Sequence, residues 1–116
     1  MLLAAPIAAY GHSEIIFPKI FSPAELPNTG FAVLNPDPIE ASISFFLISA
    51  GGTSLGSSPP PTFQIPPGGQ LTKLGTDLFP NVSTGGWVYA VIDTEGSQAF
   101  WLNYDDGITF LDGAEA

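Results

Sequence analysis

Few side chains in this 116-residue chain are equipped for chemistry. The one histidine, His12, stands ahead of the first strand-like segment, and there is no cysteine. Nucleophilic catalysis needs a base held against its nucleophile, and a thiolate or disulfide needs sulfur, so both routes lack parts. Paired carboxylates are the remaining option, and Asp93, Glu95, Asp105 and Asp106 supply candidates for an acid and a base. They fall in expected turns, however, where Asp beside Gly is ordinary turn chemistry. The expectation is that the chain is not an enzyme and takes no cofactor.

Calcium calls for hard oxygen ligands, and Asp105, Asp106, Asp112 and Glu115 gather near the C-terminal turns. They lack the D-x-[DN]-x-[DN]-G spacing of a calcium loop, so solvated turn acids are the expectation, with Asp105, Asp106 and Asp112 the candidates should a cation bind. Aromatics offer another kind of site. Trp87, Tyr89, Trp101 and Tyr104 lie on two segments that read as the strands of one hairpin, where a flat strip could stack on sugar rings. The alternative use of these rings is to fill a core, alongside nine phenylalanines. Asn81-Val82-Ser83 fits the N-glycosylation triplet and falls in an expected loop.

Charge narrows the partners. Eleven acids stand against Lys19 and Lys73, giving a net charge of −9. A surface that binds phosphates needs clustered Lys and Arg, so nucleic acid and anionic lipid are both excluded as expected partners. Charged residues make up only 11% of the chain against about 25% in an average globular protein. Ser, Thr, Gly, Pro, Asn and Gln must therefore cover an unusually neutral outside. Such a composition suits an extracellular or cell-surface protein.

The elements that must position these residues are short strands. No helical apolar period is sustained; instead runs rich in Val, Ile, Phe, Thr, Trp and Tyr recur between Gly, Pro, Asn and Asp clusters. Strands are predicted at 14–20, 30–34, 40–49, 61–65, 70–74, 86–93, 98–104 and 108–111, an antiparallel sandwich of seven to nine strands with almost no helix. Over residues 41–49, Ile43, Phe45 and Leu47 point one way, while Ser42, Ser44, Phe46 and Ile48 point the other and turn that face apolar halfway along. Trp87, Tyr89 and Val91 alternate with Val88, Ala90 and Ile92, and Asp93-Thr94-Glu95-Gly96 reads as the hairpin turn into the strand at 98–104. Asn35-Pro36-Asp37-Pro38 and Pro66-Pro67-Gly68-Gly69 must cap strands, since Pro lacks the ladder donor. TDLFP at 76–80 suits one helical turn with Thr76 as its cap.

The order GFAVLNPDPIEASISFFLIS, FQIPPGGQLTKL, LFPNVSTGGWVYAVID and SQAFWLNYDDGITFLDGAEA resembles immunoglobulin-like modules, often in tandem, of bacterial secreted and cell-surface proteins. It covers about residues 15–113. The resemblance implies an immunoglobulin-like sandwich and a place in an extracellular array. It also implies that residues 1–13 connect to a preceding unit, with one domain over 14–116.

That N-terminal run, MLLAAPIAAY, has no basic residue before its apolar stretch and is broken by Pro6, so it reads as neither a secretory signal nor a membrane span. Leu2, Leu3, Ile7 and Tyr10 make it an apolar arm that could add to a neighbour as a strand. Pro18 is expected to guard one sheet edge. The leading functional expectation is a structural module, part of a tandem surface protein or a self-associating filament, with copies of itself or neighbouring β-modules as partners. The alternative is a small carbohydrate-binding module with glycans as partners, using Trp87, Tyr89, Trp101 and Tyr104.

Overall fold

A computed structural model describes residues 13–57, 59–94, 96–104 and 111–115, the last strand and Tyr104 by backbone alone. Eight strands form, β1 Ser13–Phe21, β2 Thr29–Leu34, β3 Ala41–Ile48, β4 Thr62–Ile65, β5 Gln70–Leu74, β6 Gly86–Ile92, β7 Gln98–Tyr104 and β8 Leu111–Glu115. They build two four-stranded sheets, β1-β6-β3-β4 and β5-β2-β7-β8, in which every pairing is antiparallel. The fold is the all-β antiparallel sandwich that the strand pattern predicts.

Alternation decides which side of each strand is buried. On β3, Ala41, Ile43, Phe45 and Leu47 are buried and the residues between them are not. On β6 the buried set is Val88, Ala90 and Ile92. The facing sheet contributes Phe31, Val33, Ala99 and Trp101. Phe17 meets Phe31 edge to face at 5.0 Å, Phe21 meets Phe31 at 5.3 Å, and Phe21 meets Trp101 at 5.5 Å, so four rings knit the sheets together.

Within the sheets β2 pairs with β5 and β3 with β6. The first strand, β1, lies beside β6, and β7 lies beside β2. This corrects the expected hairpin of β6 and β7. Each is already flanked on both sides, β6 by β1 and β3, β7 by β2 and β8, so neither has a free edge for the other. The turn at Asp93 and Thr94 crosses between sheets instead. The Ser42 N–H donates to Asp93 Oδ1 at 2.8 Å, and Ser13 Oγ donates to the Thr94 carbonyl at 2.8 Å, anchoring both β3 and β1 to that turn.

Two further expectations shift. The last described strand runs from Leu111 to Glu115, paired with Tyr104 through Phe100, so it extends past the expected end at 111, and residues 108–110 of that expectation lie outside the described residues. The helical turn is Gly75–Leu78, and its first residue outside is Leu74, not Thr76 as cap; the Leu74 N–H donates to Asp77 Oδ2 at 3.0 Å.

The proline loops are held by one buried amide. Asn35 is fully buried at the end of β2, and its Nδ2 lies 2.9 Å from the Ile39 carbonyl, 3.1 Å from that of Ile65 and 3.3 Å from that of Pro66. Its Oδ1 accepts from the Asp37 N–H at 3.1 Å. One side chain thus joins both Pro-rich turns. In the second, Gly68 has φ 68° and the Gly69 N–H returns to the Pro66 carbonyl at 2.9 Å, a tight turn that needs positive φ after Pro67. Asn35→Ala strands several of these groups, each costing about 1–3 kcal/mol when buried without a partner, so urea denaturation should find a loss of about 3 kcal/mol.

Candidate functional site

The outward residues of the β1-β6-β3-β4 sheet change character along the strands. Ser42 and Ser44 give way to Phe46 and Ile48 on β3, Glu14 gives way to Ile16 on β1, and Val91 is followed towards the start of β6 by Tyr89 and Trp87. The registers align them. Ile16, Tyr89 and Phe46 stand side by side across three strands, and Trp87 stands opposite Ile48 on the next rung, with Ile20 on the far side of Trp87. Six apolar side chains thus form one block. Ile16 is 54% exposed and Ile20 53%, far more than strand isoleucines usually leave to water.

Local devices build the block. Between Phe17, paired with Val88, and Phe21, paired with Gly86, β1 holds two residues more than β6 can match, a bulge that contains Pro18. It opens a depression of about 450 Å³ lined by Ile16, Phe17, Pro18, Lys19, Ile20 and Trp87. Gly85 and Gly86 let β6 begin in a tight slot. A Cβ on Gly85 would lie 2.3 Å from the Phe21 carbonyl oxygen, and one on Gly86 2.2 Å from that of Ile48. The GGW sequence therefore brings Trp87 out between β1 and β3.

Charged groups sit at the margin. Lys19 Nζ lies 3.2 Å from Glu25 Oε2, and the Ser22 N–H donates to Glu25 Oε1 at 2.8 Å. Burial alone would raise the Glu25 carboxyl, but the Ser22 backbone bond and the Lys19 ammonium outweigh it and hold the group below its usual 4.5. On the other flank, burial and then the Glu14 carboxylate push the Tyr89 phenol above its ordinary range, so it stays protonated and bonds to Glu14.

The four expected binding aromatics separate. Trp87 and Tyr89 face outward and half-buried on β6. Trp101 is 5% exposed, inside the sandwich, because on β7 it is the residue opposite Phe31 and shares its inward face. The Tyr104 side chain lies outside the described residues, and β7 belongs to the other sheet. No single strip joins all four. Trp87 and Tyr89 are 6.2 Å apart with their planes at 73°, and Phe46, unassigned by the sequence, meets Tyr89 at 5.7 Å. Phe46 was visible as the apolar half of its face, but its pairing with Tyr89 depends on a register that no local pattern encodes.

Asn81 is exposed in the loop before β6. Asp105 and Asp106, and the arm residues Leu2, Leu3, Ile7 and Tyr10, lie outside the described residues, as do the side chains of Asp112 and Glu115. Among the described residues there is no group of three or more His, Cys, Asp or Glu that could hold a metal ion. No described helix is long and apolar enough to cross a membrane.

The edge strands carry protections that the sequence only partly disclosed. Pro18 lies in edge strand β1, and β4 has four residues with Pro61 and Pro66 at its ends. Lys73, opposite Phe31 in register on edge strand β5, turns inward and places Nζ 4.7 Å from the Phe63 ring centroid. An inward charge on an edge strand deters pairing with another sheet.

No protein-family model matches the chain, and no curated protein does. Among solved structures it is similar to "Crystal Structure of Thermotoga maritima 1070", with a TM-score of 0.62 at 12% identity, covering 89% of each chain. The likeness is one of fold. The Anabaena sensory rhodopsin transducer is similar over 73% of this chain and 87% of its own, at 16% identity and a TM-score of 0.49.

Two outcomes test how the block is built. Gly86→Ala drives a methyl into the Ile48 carbonyl, and overpacking of this kind costs about 1–3 kcal/mol, so its melting temperature should fall while Gly30→Ala, whose Cβ meets nothing within 4 Å, shifts it far less. Because the Glu25 pKa is depressed on folding, its contribution is complete above the unfolded value and is lost as pH falls through the lower folded one. Denaturation across acidic pH should therefore find a shallower loss of stability in Glu25→Gln than in the parent below the usual 4.5.

Proposed function

We infer that the chain is a non-enzymatic structural module of an extracellular or cell-surface assembly, an immunoglobulin-like sandwich of the kind found in bacterial secreted proteins. The observation that carries this reading is the block of Ile16, Ile20, Phe46, Ile48, Trp87 and Tyr89, apolar side chains held outward on a rigid sheet. Leaving such a set in water works against solubility, which is the usual mark of a surface made for contact. The scarcity of lysine and arginine and the absence of cysteine fit the same role, since neither catalysis nor phosphate binding is equipped.

Sugar binding is the less favoured use of the same face. A sugar chain lies best on rings that share a plane, and Trp87 and Tyr89 are turned 73° from one another. Their edge-to-face packing suits a corrugated protein surface.

Protease treatment of intact producing cells should remove an epitope-tagged form of the chain, and electron microscopy of the released material should find it in fibres or multi-domain strands. Retention of the tag inside treated cells overturns the reading. A glycan array that binds the chain and loses binding with Trp87→Ala would transfer the face to carbohydrate.

A further inference from the structure

The loop between the short helix and β6 holds a polar side chain that the fold leaves unused. Leu78 and Phe79 are buried, and Val82 packs against the same core, so this stretch is pinned to the sandwich at both ends. Asn81 and Ser83 flank Val82, lie outside every strand and are exposed. The amides of Asn35 and Asn103 are engaged by the Ile65 carbonyl and the Thr29 hydroxyl. The Asn81 side chain has no hydrogen-bond partner among the described residues.

We propose that Asn81 is a glycosylation site, its side-chain nitrogen joined to C1 of a sugar; this rests on the structural-module reading and adds a surface coat to it. Asn81-Val82-Ser83 meets both requirements of the acceptor triplet, a hydroxyl two residues after the asparagine and no proline between them. A carboxamide nitrogen is a weak nucleophile because its lone pair is delocalised into the carbonyl, so a transferase must hold the amide and the hydroxyl together. Both stand outward here, within its reach. The donor is a sugar activated at C1 as a diphosphate ester, carried on a nucleotide or on a polyprenyl lipid. The Asn81 nitrogen bonds to C1 as the bond from C1 to the ester oxygen breaks. The diphosphate ester leaves with that electron pair, and the nitrogen gives one proton to a base of the transferase.

Space and placement agree. Asn81 borders a groove of about 230 Å³ that Leu55, Gly56, Ser57, Phe79 and Val82 also line. The first sugar has room to rest there, its ring over Leu55 and Val82, both only partly buried. Gly86, where β6 begins, pairs with Phe21, whereas Ser13 pairs with Ile92 at the other end of β6. The loop that carries Asn81 therefore stands at the pole opposite the start of β1, and a sugar there leaves the connection to a neighbouring module clear. Only 11% of the residues are charged, so the surface has little ionic hydration. A glycan supplies hydration without adding charge.

The test is mass spectrometry of the full chain purified from the cells that make it, from the surface fraction and from the interior separately. The expected mass exceeds that of the polypeptide by one or more sugar residues, and fragmentation places them on Asn81. Asn81→Gln and, separately, Ser83→Ala should each return the bare mass while leaving the melting temperature near that of the parent, since both side chains are exposed. A single hexose reports a nucleotide donor, and an oligosaccharide reports a lipid-linked one. A bare mass in both fractions overturns the proposal, as does sugar that persists in either variant. A bare chain recovered from the cell surface removes the site and leaves the module reading standing; a sugar-bearing chain confined to the interior keeps the site and removes that reading.

Discussion

Phe17 and Phe21 on β1 reach across the interior to Phe31 and Trp101, and much else is arranged around keeping those four rings together. Both phenylalanines must point inward although β6 advances only two residues between their partners while β1 advances four. Inserting two residues preserves the side from which each ring projects, whereas inserting one would reverse it. Three residues, Pro18, Lys19 and Ile20, then stand against the single Trp87 of β6, and Pro18 and Ile20 are left exposed. One requirement of the core thus creates the bulge, the depression beside it and the exposure of Ile20. The same cluster takes Trp101 inside and leaves Trp87 as the outward indole.

Charge is sorted as strictly as shape. The few ionic groups act close to where they stand, as Lys19 holds Glu25, Lys73 covers Phe63 at an edge, and Asp93 receives the Ser42 N–H. Of these three contacts only that of Lys73 joins the two sheets, and it does so at their edges. The buried polar work falls to neutral groups, above all Asn35, whose amide satisfies backbone at two turns that proline has deprived of donors. Neutral bonding there costs less desolvation than an ion pair would.

Strand positions were legible from the sequence because period-two alternation is local. Residues 70–74 and 98–104 coincide with β5 and β7, and the inward set of Ile43, Phe45 and Leu47 is buried as the pattern requires. Strand pairing was not legible, because it depends on which edges remain free once the sheets assemble. Asp93-Thr94-Glu95-Gly96 has the composition of a hairpin turn, and Gly96 does take φ 75°, yet the strands on either side enter different sheets. The site followed the same division. Trp87 and Tyr89 were named from their alternation, whereas Phe46, Ile16 and Ile20 joined them through register and a bulge.

Eight strands that reverse at every connection return the chain to its starting pole. Ser13 is tied to the Thr94 carbonyl just ahead of β7, and Glu115 stands opposite Phe100, the third residue of β7. Seven reversing strands instead deliver a chain to the far pole, which lets such units be threaded into a straight cord. A sandwich that receives and releases its chain at one pole hangs from its polypeptide like a pennant from a line. Its broad sheet faces then stand clear of both ends of the chain, and a pull applied to Ser13 and Glu115 would load that one pole before it reached the faces.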